Sequence, residues 1–397
     1  MGLLSAAERL ASFDRSMVVL DESRCLHSQD RYSTCERCWN ICPSSAIEQG
    51  KPPSLNEGNC TNCKACLTVC PVGAFQGSDS VKDLLSCLTR LETDSVELIC
   101  QENEESSRGA AENTIGVSFN GCLASLGAGT LLTIFSMGIK EAYLRLDACQ
   151  ECRWKELKPA IDKQIELSRK LLNAWALVEN LVVIDKVEDP HDRPLWDAHN
   201  APISRRDLFK LATRQGAAAL AQAVEKNHQK GRLPGRDHRR LVNSFSQFPE
   251  IQNSVTLTNA DTFANITVSD TCTACGTCAR ACPTEAISIN IDKEEKYFQL
   301  NFAPLNCIAC EVCVHLCLPS SITMDKSITL NKAVLENTEV VLLEGPLSQC
   351  EQCKSYFPSK PDTYVCPTCE VRRNNPFGSI VPPGLNSIPQ KERKDHD

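Results

Sequence analysis

The spacing of apolar positions changes several times along the chain. SVKDLLSCLTRL (80–91) repeats apolar residues at helical intervals and carries Cys87 on its apolar face, which marks that cysteine as core. Short apolar runs then alternate with helical stretches. SVELIC (95–100), TIGVSFNGC (114–122), EAYLRLDAC (141–149) and NLVVIDK (180–186) predict strands. ASLGAGTLLTIFSMGIK (124–140) and KELKPAIDKQIELSRKLLNAWALV (155–178) predict helices between them. Strands and helices in alternation predict a doubly wound parallel sheet. Residues 187–250 lose this pattern and are rich in charge, proline and histidine. Within them Ser204 is placed to cap a helix, RRDLFKLATRQGAAALAQAVEKN. Further on, AISINIDKEEKYFQLNF (286–302) alternates apolar and polar residues around a charged turn and predicts a hairpin.

Composition sharpens this picture through one residue type. The chain has 397 residues and 25 cysteines. Aromatic residues are only 5%, so the cores are lean, and small lean segments need disulfides or metals to stay folded. The opening MGLLSAAERLASFDRS reads as an amphipathic stretch, not a signal peptide, and no run of 18 apolar residues occurs. These features point to a reducing cytoplasm, where clustered cysteines read as metal ligands. A net charge of -8 argues against nucleic acid as the main partner. Phosphate-binding loops of the GxGxxG or Walker type are absent, as is the cysteine triplet of radical enzymes.

The cysteines fall in repeated runs. CTNCKACLTVCP places Cys60, Cys63, Cys66 and Cys70 before Pro71, at spacings of two, two and three. CTACGTCARACP repeats it with Cys272, Cys275, Cys278 and Cys282 before Pro283. A third run holds Cys307, Cys310, Cys313 and Cys317, its proline one place late at Pro319. This spacing wraps three thiolates around one iron–sulfur cluster and sends the fourth to a second cluster. YSTCERCWNICP is a damaged copy, with Cys35, Cys38 and Cys42 but Tyr32 where the first cysteine belongs. Either Cys25 loops in as the missing ligand, or that cluster has three irons and lacks one ligand.

These segments resemble bacterial two-cluster ferredoxins, over about 60 residues near the N-terminus and about 70 between 265 and 332. The resemblance implies a crosswise exchange of ligands and four [4Fe-4S] clusters. Its ligand sets are Cys25, Cys35, Cys38 and Cys70; Cys60, Cys63, Cys66 and Cys42; Cys272, Cys275, Cys278 and Cys317; and Cys307, Cys310, Cys313 and Cys282.

Between the modules, Cys100, Cys122 and Cys149 end predicted strands, and Cys152 follows closely. Ligands of doubly wound sheets sit beyond the carboxyl ends of the strands, so these four thiols read as a metal site. VELIC, FNGC, SMGIKEAYLRLDAC and the CQEC pair resemble the delta subunit of methyl-viologen-reducing hydrogenase. That resemblance implies a [2Fe-2S] cluster on Cys100, Cys122, Cys149 and Cys152. It also implies transfer between a hydrogenase or formate dehydrogenase and a flavoprotein of the heterodisulfide reductase type. The chain departs from the family in having only Cys100, not a cysteine pair, at the first strand.

Near the end, Cys350 and Cys353, then Cys366 and Cys369, form a two-knuckle site for structural zinc; a rubredoxin-type iron centre would need a longer gap between the pairs. Residues 204–240 carry ten Lys or Arg against three acids, a basic element suited to docking on an acidic surface. Its SRRDLFK looks like an export motif, but stands far from the N-terminus. His191, His199, His228 and His238 have no ligand-like spacing and read as solvated.

The expected architecture is multidomain, α/β and α+β. A ferredoxin module spans 1–79, an α/β domain 80–190, a basic linker 191–250, a second ferredoxin module 251–345, a zinc-ribbon-like knuckle 346–372 and a flexible tail 373–397. The expected role is that of an electron-transfer subunit, bound to membranes, if at all, only through its partners. The alternative is a catalytic subunit reducing a disulfide or another small substrate at the middle site.

Overall fold

The computed structural model describes residues 18–104, 106–199, 232–258, 262–336 and 339–374. The predicted basic helix after Ser204, with Arg205, Arg206 and His228, and the tail beyond 374 lie outside the described residues. The chain divides into two compact units. One runs to Leu257 and includes Thr329–Leu335; the other holds Thr258–Ile328 and the chain from Glu336.

The first unit is built on a five-stranded parallel sheet. Its strands are β1 (Ser95–Cys100), β2 (Ile115–Phe119), β3 (Glu141–Arg145), β4 (Leu181–Ile184) and β5 (Leu195–Asp197), in the order β5-β2-β1-β3-β4. Every neighbour pair is parallel. From Val96 to Cys100 the central β1 is buried without a break, as a parallel strand covered on both faces must be. The chain moves from β1 to β2 on one side, then crosses to β3 on the other. The direction of winding therefore reverses between β1 and β3.

Among the described residues, the longer helices that accompany the sheet are α1 (Ser80–Leu88), α2 (Ala128–Ser136), α3 (Lys158–Leu172) and α4 (Arg236–Phe245). The Asp79 carboxylate caps α1 by accepting from Lys82 N. The N-terminus of α2 is capped by tertiary contact instead: buried Asp237, from α4, accepts from Gly129 N and Thr130 N at 2.9 Å each. Packing is close here, since a Cβ on Gly129 would stand 1.9 Å from Asp237 O.

Both β5 and α4 fall in the stretch that charge and proline content mark as linker. β5 is only three residues long and is held by its register on β2, Leu195 opposite Gly116. α4 packs on α2 and buries Leu241, Phe245, which stacks on Trp175, and His238, which the sequence pattern leaves solvated. The N-terminal part of this unit is cysteine-rich. Val19–Leu20 pairs with Phe75–Gln76, and Ile47–Glu48 with Ser54–Leu55, both antiparallel.

In the second unit, Asn265–Val268 pairs antiparallel with Ile322–Asp325. The predicted hairpin forms as β6 (Ile287–Asp292) and β7 (Tyr297–Phe302). It is extended by β8 (Val340–Gln349) and β9 (Tyr356–Pro358), giving a four-stranded sheet ordered β6-β7-β8-β9. One continuous strand, β8, thus leads from the second cysteine-rich module straight into Cys350.

Candidate metal centres

The cysteine runs share a backbone device. In three of them the residues on either side of the second cysteine are left-handed: Asn62 and Lys64 (φ 57° and 65°), Ala274 and Gly276 (51° and 69°), Ala309 and Glu311 (55° and 62°). Two such turns within a few residues curl the loop around its own thiols. A short helix follows each, Ala65–Val69, Thr277–Ala281 and Val312–His315. Three residues past the fourth cysteine the chain is left-handed again, at Ser45, Gly73, Glu285 and Ser320. The turn aims the next amide back at sulfur: Ala74 N meets Cys70 Sγ at 3.2 Å, Ala286 N meets Cys282 Sγ at 3.2 Å, and Ser321 N meets Cys317 Sγ at 3.3 Å. The late proline of the third run leaves this turn intact.

The damaged run lacks the paired left-handed turns; Glu36 has φ −120°. Cys25, ahead of the helix Leu26–Gln29, comes up beside its cysteines. Its thiol is raised by burial, then by Cys70 and Cys35, and Cys38 is pushed up to about 12 by burial, then by Cys35, Cys70 and Cys25. Cys63 is pushed up to about 11 by burial, then by Cys42 and Cys60, and Cys66 is driven well up by burial and by Cys63, Cys60 and Cys42.

The second unit repeats the arrangement. Burial pushes Cys278 to about 11, with Cys272, Cys275 and Cys317 adding to it. Burial pushes Cys310 to about 12, with Cys282 and Cys307 adding to it, and Cys313 is raised by burial and the same group. In both of these groups three thiols of one run face the fourth of the other. Thiols that oppose one another's ionisation in this way are ones a shared cation would deprotonate. Cys275 differs in being exposed and held below its ordinary value, where Thr277, Thr273 and Arg280 outweigh burial.

The middle cysteines meet at the carboxyl edge of the parallel sheet. Cys100 closes β1, Cys122 follows β2, and Cys149 and Cys152 follow β3, so the group straddles the reversal between β1 and β3. Cys100 and Cys122 are buried, whereas Cys149 and Cys152 are half-buried. Cys149 is pushed up to about 12 by burial, then by Cys100 and Cys152; Cys122 is raised by burial, then by Cys100, Cys63 and Cys149. Amides again point at sulfur, Ala124 N to Cys122 at 3.5 Å and Trp154 N to Cys152 at 3.3 Å.

Cys63, in that last group, belongs to the neighbouring module, and the contact is direct. Cys122 N donates to Cys63 O at 3.3 Å. Lys64 Nζ donates to Asn120 O at 3.2 Å, Thr68 Oγ1 to Ser125 O at 2.6 Å, and Trp154 Nε1 to Thr61 Oγ1 at 3.0 Å. The loop 60–68 therefore lies on the loops that carry the middle thiols.

Beneath the middle site runs a buried ion network that sequence reading missed. Glu97 of β1 accepts from Arg145 Nη1 and Arg193 Nε at 3.1 Å each, and from Thr114 Oγ1 at 2.9 Å. Arg145 also grips Asp147 through Nε and Nη2, at 2.8 Å each, and the Asn103 amide reaches Asp147 at 3.3 Å. Asn103 lies just after Cys100 and Asp147 just before Cys149, so the network ties the two ligand loops together. The signal for it was a glutamate and an arginine inside strands that otherwise read as buried.

At the C-terminus the sulfurs of Cys350, Cys353, Cys366 and Cys369 lie within 4.8 Å of one another, the tightest such gathering among the described residues. That spacing suits a single ion. N–H groups of Cys353 and Cys366 pull the Cys350 thiol down to about 6. Leu347 of β8 packs with Phe298 and with Ala274, which lies between Cys272 and Cys275. Cys87 is buried on α1 away from these groups, raised by burial.

Comparison with known proteins bears on part of this. The family model of the 4Fe-4S dicluster domain matches residues 33–74 and 271–321. The chain thus carries a dicluster ferredoxin domain at two places and binds at least two [4Fe-4S] clusters. No curated protein matches the chain. Among the described residues no helix is long and apolar enough to cross a membrane.

Proposed function

We propose that the chain is an iron–sulfur electron-transfer subunit with four [4Fe-4S] clusters, one [2Fe-2S] cluster and one zinc ion. The observation that carries this reading is the hydrogen-bonded seat of loop 60–68 on the loops of the middle cysteines. A scaffold needs no such approach between two thiol sets; a relay does. Bound at these sets, the clusters would take up and give away single electrons.

The chain supplies the remainder. Cys25, Cys35, Cys38 and Cys70 would hold one cluster and Cys42, Cys60, Cys63 and Cys66 the next, with the middle four thiols adjoining. The gathering of Cys25 with its three partners favours a complete ligand set over a three-iron site. Amide N–H groups aimed at sulfur stabilise thiolates and tune potentials. The reversal of winding supports a doubly wound sheet, and half-buried Cys149 and Cys152 give the middle site an outward edge. Tight sulfur spacing at Cys350, Cys353, Cys366 and Cys369 supports zinc in a ribbon-like knuckle.

The partners in this reading are a hydrogenase or formate dehydrogenase on one side and a flavoprotein of heterodisulfide reductase type on the other, in the cytoplasm. Its test is Cys152→Ser in the full chain, purified without oxygen. The variant should lose or shift one spectroscopic signature while the four ferredoxin-type signatures persist. Spectra and iron content identical to wild type would remove the middle cluster from the account.

A further inference from the structure

The four cysteine runs differ at one informative position. The residue after the second ferredoxin cysteine is Glu36, Lys64, Gly276 and Glu311 in turn. The run that abuts the middle site is the one with a cation there. Lys64 is only 3% exposed, and the atom its Nζ reaches is the neutral carbonyl oxygen of Asn120. Two residues along, Cys122 donates to Cys63 O, so the ammonium lies at the seam between two thiol groups. Asp83 and Asp79 are the carboxylates whose charge reaches it. Neither carboxylate is dedicated to it: Asp79 pairs with Arg240 and caps α1, and Asp83 faces His199 at 3.4 Å.

Burying a lysine is costly unless something favours its charge. Four thiolates carrying an iron–sulfur cluster are anionic, and each electron added increases that charge by one. Two such groups in contact repel, and a fixed cation between them offsets the repulsion.

We propose that Lys64 is a positioning residue that sets a positive charge between the Cys42/60/63/66 group and the middle group, favouring the electron-loaded state of both. This rests on the reading that both groups hold iron–sulfur clusters. In each redox event one electron arrives from an external reductant, no bond is made or broken, and Lys64 keeps its proton.

The test is a potentiometric titration of the full chain with titanium(III) citrate, followed by paramagnetic resonance and accompanied by iron analysis. Lys64→Gln keeps a donor for Asn120 O but removes the charge. It should make reduction of the adjoining groups about tenfold less favourable, about 59 mV more negative. Lys64→Arg should restore the wild-type values, and the groups of residues 272–317 should not move. Asp83→Asn, at a partly exposed carboxylate, should move the same potentials the opposite way even if Lys64→Gln folds poorly. Unchanged potentials in iron-replete Lys64→Gln, or in Asp83→Asn, overturn the proposal. If Cys122→Ser matches wild type in iron and spectra, the underlying assignment of the middle cluster fails instead.

Discussion

Replacing Arg145 by alanine removes the cation at the centre of the buried network. Arg145 and Glu97 side chains are both 0% exposed. After truncation Glu97 keeps Arg193 at 3.1 Å, Thr114 at 2.9 Å and the amides of Ala110 and Ala111, so it is not stranded. Asp147 loses both 2.8 Å bonds and keeps the Asn103 amide at 3.3 Å. Breaking a buried pair costs about 3–5 kcal/mol, and the donors left to Glu97 place this case near the lower end, about 3 kcal/mol. In a unit of this size each kcal/mol is worth roughly 2–4 °C, so Tm should fall by roughly 6–12 °C. Thermal unfolding at pH 7, followed by tryptophan fluorescence and by visible absorbance, measures it.

The pH dependence supplies a second check. Burial raises the Glu97 carboxyl, but Arg193, Thr114, the Ala111 amide and Arg145 more than offset it; burial likewise raises Asp147, and Arg145 and Asn103 bring it below its ordinary value. Carboxyls depressed in the folded state add stability above their unfolded pKa of about 4, and that stability is lost as pH falls through the folded values. The gap between wild type and Arg145→Ala should therefore narrow in acid. A loss below about 2 °C at pH 7, or a gap that widens in acid, would refute the reasoning.

Metal analysis of anaerobically purified full chain should find about 18 iron atoms and about one zinc. Cys25→Ser should remove between one and four irons, whereas Cys87→Ser, at a buried thiol apart from the groups, should remove none. Cys353→Ser should remove the zinc and leave the iron, since that exposed thiol supports only the knuckle; loss of one iron in place of zinc would assign a rubredoxin-type centre.

The legible parts of the sequence were those fixed by local spacing. A two-two-three run dictates its own loop, and its turn survives the displaced Pro319 because Ser320 adopts the left-handed conformation regardless. Strands such as SVELIC announced themselves as short, mostly apolar runs between helical stretches. β5 and α4 did not, because each is held by a partner distant in sequence: β5 by β2, α4 by the N-terminal amides of α2 that Asp237 satisfies. The same holds for the ion network, since nothing local says that Glu97 and Arg145 will meet. The seating of loop 60–68 on the middle site is tertiary as well, since it joins Cys63 to Cys122 and Lys64 to Asn120 across more than fifty residues of chain.

The central claim, that the cysteine groups carry electrons and do more than staple the fold, is tested most directly by counting them. The full chain, loaded with iron and titrated without oxygen against a photoreduced deazaflavin, should take up about five electrons, one for each iron–sulfur group. Uptake of none or one by iron-replete protein would contradict the account and leave the clusters as structural supports.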